Sequence, residues 1–129
     1  MQLRDAGKLD LGDSVGDHLE WFAATQVHDG RRPITIESLL THSSGLRRNT
    51  EKPVWNGPAF PFPTLPEIMH TMQVQSTAYP AQYLYHYSNV AFSLAGEIVH
   101  RRSELAYQEY VKTNILDPLG LSDTRAYYP

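Results

Sequence analysis

Apolar positions recur along the chain with a helical period, and the breaks between the recurrences are marked by Gly and Pro. Leu3 and Ala6 stand at i, i+3 before Gly7, so residues 1–8 read as the last turns of a helix closed by a glycine C-cap. Lys8 to Val15 alternates polar and apolar residues as a short strand would, but Gly12 and the aspartates favour a turn. Ile34 to Thr41 reads as a helix with Thr35 as N-cap and Ile36, Leu39 and Leu40 as its apolar stripe. Gly45 ends the turn that follows. Residues 47–63 read as a loop, because Pro53, Pro58, Pro61 and Pro63 each fix φ and remove a donor. Trp55, Phe60 and Phe62 between them imply that this loop packs on something.

Thr64-Leu65-Pro66-Glu67 spells a capping box, which predicts a helix to about Gln73 with Leu65, Ile68, Met69 and Met72 on one face. Pro80 to Tyr85 reads as extended or irregular. The longest helix is predicted over 89–102, capped by Ser88 or Asn89. Val90, Leu94 and Ile98 form one row on it, and Ala91, Ala95 and Val99 the next. A further helix, about 105–115, carries Leu105, Tyr107, Tyr110, Val111 and Ile115, and Asp117-Pro118 stops it. The pattern predicts a mainly α chain, with residues 1–129 forming a single helical domain.

Composition narrows the function. The net charge is −3, and Arg31-Arg32, Arg47-Arg48 and Arg101-Arg102 are isolated doublets, so nothing points to a nucleic-acid surface. There is no cysteine, which excludes disulfides and thiolate metal sites. No apolar run approaches the roughly 20 residues that span a bilayer. The first residues lack the apolar core of a signal peptide, so the chain as written is expected in the cytoplasm. Asp10, Asp13 and Asp17 do not have calcium-loop spacing. Glu97-x-x-His100 is half of a di-metal motif without its second half. No metal and no cofactor is expected.

Tyr87-Ser88-Asn89 is the candidate site. A tyrosine hydroxyl acts as a base only beside a cation that favours phenolate. An asparagine two residues on can both donate to and accept from a substrate amide. Taken alone, these letters are better read as a packed aromatic and a helix cap. Their surroundings decide otherwise. Leu39-Leu40-Thr41-His42-Ser43-Ser44-Gly45-Leu46, Tyr79-Pro80, Tyr87-Ser88-Asn89, Ala95-Gly96-Glu97-Ile98 and Pro118-Leu119-Gly120-Leu121 follow one another in the order of a known family. In this the chain resembles the serine β-lactamase and penicillin-binding-protein superfamily, in its class C β-lactamase-like and esterase-like branch.

The resemblance implies a helical subdomain of the β-lactamase/transpeptidase-like fold, without its β-sheet. It implies that Tyr87 contacts a nucleophilic serine within a proton-transfer network, and that Asn89 contacts substrate. The implied chemistry is acyl transfer from a small-molecule ester, amide or β-lactam through an acyl-serine, with no cofactor. That chemistry also needs Ser-x-x-Lys and a later Lys-Thr-Gly or His-x-Gly strand. Neither stands here. Asp5, Asn49 and Glu109 precede Lys8, Lys52 and Lys112 by three. Lys112-Thr113-Asn114 lacks the glycine and lies on a helical pattern, and His28-Asp29-Gly30 precedes Tyr87. The chain therefore corresponds to about the middle third of a family member, with Met1 standing where the family has an internal methionine.

It also departs from the family at two turns. Pro80-Ala81 and Ser103-Glu104 stand where Pro-Gly and Ser-Gly are usual, at turns that commonly need positive φ. His42 beside Ser43 and Ser44 suggests a dyad, although hydroxyls after a helix usually satisfy backbone groups. The expectation is a serine-hydrolase fragment inactive by itself. The alternatives are a non-catalytic module that homodimerises through its sheet-facing surface, and half of a split enzyme whose partner supplies serine and lysine.

Overall fold

The computed structural model describes residues 1–22, 32–50 and 63–126. The proline- and aromatic-bearing part of the 47–63 loop and His28-Asp29-Gly30 lie outside the described residues. The helices are α1 (Gln2–Asp5), α2 (Val15–His18), α3 (Ile36–Leu40), α4 (Leu65–Val74), α5 (Asn89–Ser103) and α6 (Tyr107–Val111). A π-helical turn, Lys112–Leu116, continues α6. Among the described residues there is no sheet, and Ser14 and Thr35 form an antiparallel bridge.

α5 is the axis of the domain. Val90, Leu94 and Ile98, one i, i+4 row, are buried along it together with Ala91 of the next row. They pack with Val15, Leu19, Ile34, Leu39, Leu46, Ile68 and Met72 in a single core. α4 buries Ile68 and Met72 of its predicted face and leaves Leu65 and Met69 at the margin. α1, α2, α3 and α6 all lie against α5.

The alternating stretch before Val15 forms a clasp in place of a strand. The amides of Glu37, Ile36 and Val15 donate to the carbonyls of Leu11, Asp13 and Ile34 at 2.8, 3.1 and 2.9 Å. Ser14 then caps α2 through Gly16, a helix too short for periodicity to reveal. α2 is held from α5. Arg102 donates from Nε to Nδ1 of buried His18, and His18 Nε2 lies 3.0 Å from Asp13 Oδ2. An arginine donor on one nitrogen requires the tautomer with its proton on the other, so His18 donates to Asp13.

The helix ends follow the sequence in most places. Thr35 caps α3 through Ser38, and Glu67 Oε2 accepts from the Thr64 amide at 2.9 Å. Gly7 closes α1 at φ +67. The last predicted helix divides. Its amide pattern widens at Lys112, where Asp117 N–H reaches the Lys112 carbonyl at 2.9 Å. Lys112 Nζ meets the Asp117 carboxylate at 2.7 Å over the same five-residue step. α1 meets this end of the chain. Gln2 Nε2 donates to the Asn114 carbonyl at 2.9 Å, and Tyr110 Oη donates to Gln2 Oε1 at 3.2 Å.

Candidate functional site

Two irregular segments laced by backbone bonds place the Tyr87-Ser88-Asn89 triplet. The amides of Ala78, Gln82 and His86 donate to the carbonyls of Gly45, Ser43 and His42 at 2.8, 2.7 and 2.7 Å. The Asn89 amide donates to the Arg48 carbonyl at 2.8 Å. The Leu39–Leu46 block therefore forms the bed on which residues 78–89 lie.

Ser88 is the fixed point. Fully buried, it donates from Oγ to the Arg47 carbonyl at 2.7 Å and accepts from the Ala91 amide at 3.0 Å. It, rather than Asn89, caps α5, so the Asn89 side chain is left for other work. Asn89 Nδ2 donates to Asn49 Oδ1 at 2.7 Å. That bond occupies one of the two Nδ2 donors, and Asn89 lines a cleft beside α5.

Tyr87 points outward and is 44% exposed. Its ring lies 4.5 Å from the His42 ring, inclined by 37°. The Arg48 guanidinium carbon lies 5.4 Å from the Tyr87 ring centroid. A cation at that range is attracted to the ring. His42 also faces Phe92 at 4.8 Å and meets Tyr85 edge-on at 5.7 Å. Its Nδ1 accepts from the Ser88 amide at 3.2 Å. The cleft beside α5 has a volume of about 730 Å³, and its lining includes Asn49, Tyr87, Asn89, Phe92, Glu97 and Tyr107. Tyr87 and Asn89 thus open onto one concavity.

Other candidates are occupied elsewhere. Ser43 Oγ bonds to Thr41 Oγ1, and Ser44 Oγ accepts from the Leu46 amide, so neither addresses the His42 ring as a dyad would. Glu97 pairs with Arg101 at 2.8 Å and His100 Nδ1 with the Leu105 carbonyl at 2.8 Å. Both ends of the Glu-x-x-His pair serve the helix. Asp13 accepts from the Asp10 amide and from His18, and these bonds, backbone first, hold its carboxyl below the usual range. Arg102 adds a smaller charge effect in the same direction.

Sequence reasoning passed over His42, Arg48 and Asn49 as neighbours of the triplet. His42 lies inside the Leu39–Leu46 block, but a contact across 45 residues has no periodic signature.

The family model described as Beta-lactamase matches residues 1–129. The chain belongs to the β-lactamase family. Among its relatives is β-lactamase-like protein 2 of Dictyostelium discoideum, 27% identical over 128 residues, 98% of this chain and 23% of the relative. Another is the D-alanyl-D-alanine-carboxypeptidase/endopeptidase AmpH of Escherichia coli, 27% identical over 124 residues, 96% of this chain and 32% of the relative. In fold it is similar to a β-lactamase/D-alanine carboxypeptidase from Yersinia pestis, with a TM-score of 0.85 at 23% identity. That match covers 99% of this chain and 36% of the Yersinia one. The chain therefore spans only 23% and 32% of the length of these two curated relatives. Its described part has the architecture of the helical subdomain of the β-lactamase fold.

Proposed function

We propose that this chain supplies the helical side of an acyl-transfer site in a β-lactamase-like serine hydrolase. Tyr87 is the proton-transfer group and Asn89 a substrate contact. The supporting observation is the common cleft onto which Tyr87 and Asn89 open, with Arg48 beside the phenol ring. In this reading the serine attacks an ester, peptide or β-lactam carbonyl. Tyr87 takes its proton and gives it to the leaving alcohol or amine as that bond breaks. Water then releases the acyl group while a proton returns to the serine through Tyr87. Asn89 offers its side-chain amide to a substrate amide. No cofactor or metal enters the scheme.

The 129 residues hold no Ser-x-x-Lys and no strand motif in family order, so the chain by itself is proposed to be inactive. Pure protein should turn over neither nitrocefin nor a p-nitrophenyl ester. Mixing with a family segment that carries Ser-x-x-Lys and the sheet should restore hydrolysis. In that assembly Tyr87→Phe should lower kcat by about 10²–10⁴-fold, the usual weight of a general acid–base group. Turnover by the isolated chain, or a Tyr87→Phe assembly as fast as the unmodified one, would sink the assignment.

A second reading draws on the exposed aromatic side chains of Tyr79, Tyr83, Tyr85 and Phe92. Apolar surface of that kind supports association, here as a homodimer without catalysis. A sedimentation profile that stays monomeric at high concentration counts against it.

A further inference from the structure

We propose that His42 is the positioning residue for Tyr87, fixing the direction in which the phenol leaves the start of α5. The inference rests on the proton-transfer role proposed for Tyr87. It does not make His42 a catalytic group.

His42 is itself held before it touches Tyr87. It sits at φ +54, a left-handed conformation that His adopts more readily than most residues. Its carbonyl accepts from the His86 amide at 2.7 Å, so its backbone is tied to the residue just before Tyr87. Its Nδ1 accepts from the Ser88 amide at 3.2 Å, so its ring is tied to the residue just after. Because Nδ1 accepts, the ring carries its proton on Nε2. Phe92, one turn into α5, and Tyr85 complete the ring's surroundings at 4.8 and 5.7 Å.

A ring restrained on these sides presents a fixed surface 4.5 Å from the Tyr87 centroid. Tyr87 needs one. It stands at the surface, where an aromatic side chain otherwise distributes among staggered χ1 wells. Its contact with His42, joined by Arg48 at 5.4 Å, selects one of them. A buried core histidine would have no reason to bracket Tyr87 through both neighbouring residues. His42 instead meets the triplet by backbone, by ring nitrogen and by ring face.

The test is the χ1 rotamer distribution of Tyr87 in the full chain. It is read by NMR couplings on tyrosine-labelled protein, with the Tyr87 signal assigned by Tyr87→Phe. His42→Asn keeps the left-handed backbone and offers an oxygen to the Ser88 amide, but it removes the ring. It should leave the melting transition nearly in place and change the Tyr87 rotamer ratio roughly two- to tenfold, the weight of one aromatic pair. His42→Ala removes ring and acceptor together and should change the ratio further.

If neither variant folds, Phe92→Leu removes the support behind the His42 ring without touching the triplet and should shift the same ratio. An unchanged Tyr87 rotamer in folded His42→Asn overturns the proposal. So does an unchanged rotamer in Phe92→Leu when that variant decides. The two assignments fail separately. If Tyr87 reorients in His42→Asn while the complemented hydrolase ignores Tyr87→Phe, positioning stands and proton transfer falls.

Discussion

Gly45 lies directly against the Tyr79 carbonyl. A Cβ built on Gly45 would stand 2.9 Å from that carbonyl carbon and closer still to its oxygen. The φ of Gly45 is +74, and its own carbonyl accepts from the Ala78 amide at 2.8 Å. The two segments that carry the triplet therefore meet where only hydrogen fits. Gly45→Ala should destabilise the fold by roughly 3 kcal/mol, a left-handed alanine plus backbone displacement. Gly7, at φ +67 with nothing near its missing Cβ, is the control. Gly7→Ala should cost about 1 kcal/mol. Urea unfolding of both variants checks this, and equal losses would show that the close approach is not what fixes Gly45.

Glu104 ends α5 in the left-handed region at φ +61, with its amide bonded to the His100 carbonyl at 2.9 Å. This is the turn where the family usually has glycine. At that φ the Cβ of an L-residue is crowded by the neighbouring carbonyl. Glu104→Gly should raise stability by about 1 kcal/mol, the cost of a left-handed L-residue less the added freedom of the unfolded glycine. Ala81 gives the opposite expectation. The positive φ near it falls on Gln82, at +61, and Ala81 is buried. Ala81→Gly should therefore stabilise nothing. A thermal shift in both variants, or in neither, refutes the distinction.

Ser88 carries two duties on one hydroxyl, as α5 cap and as donor to a main-chain carbonyl. Ser88→Ala removes both and leaves the Arg47 carbonyl without that donor. A loss of about 2–3 kcal/mol is expected. Ser14→Ala, which loses a 3.3 Å cap bond to Gly16, should cost about 1 kcal/mol or less. Chemical denaturation ranks the two, and a smaller loss at Ser88 would show that the Arg47 carbonyl finds another donor.

Asp13 makes the fold sensitive to acid. Its carboxyl is held below its ordinary value of 3.8, first by the Asp10 amide and then by His18. A carboxyl depressed by folding contributes stability above its unfolded value. As the pH falls below 3.8 the unfolded chain binds the proton more readily, and the contribution is lost on the way down through the folded value. Asp13→Asn should therefore destabilise most well above that ordinary value, and the gap to the unmodified chain should narrow as the pH falls below 3.8. Urea midpoints at a series of pH values give the answer. A gap that stays constant would mean that Asp13 acts through its shape and not its charge.

What the sequence disclosed and what it hid have physical reasons. Thr64-Leu65-Pro66-Glu67 announced α4 because a capping box is local: donor and acceptor are three residues apart. The row Val90, Leu94, Ile98 announced α5 because 15 residues give its apolar period room to repeat. α2 has four residues and offered no period, although Ser14 before it is a good cap. The split of the last helix into α6 and a π turn was equally silent, since apolar spacing alone does not separate i−4 from i−5 bonding over one turn. The triplet was located by an ordered set of blocks. Its surroundings were not, because His42 and Asn49 reach it from 46 and 40 residues away.

The seam between Gln2 and Asn114 joins positions 112 residues apart. Closing so long a stretch of chain carries a large entropy cost, and two exposed hydrogen bonds return little of it until α5 and α6 are already docked. This corner should be the last to zip shut as the chain folds and the first to fray when it is heated. A donor–acceptor dye pair placed across it would time the final moment of folding.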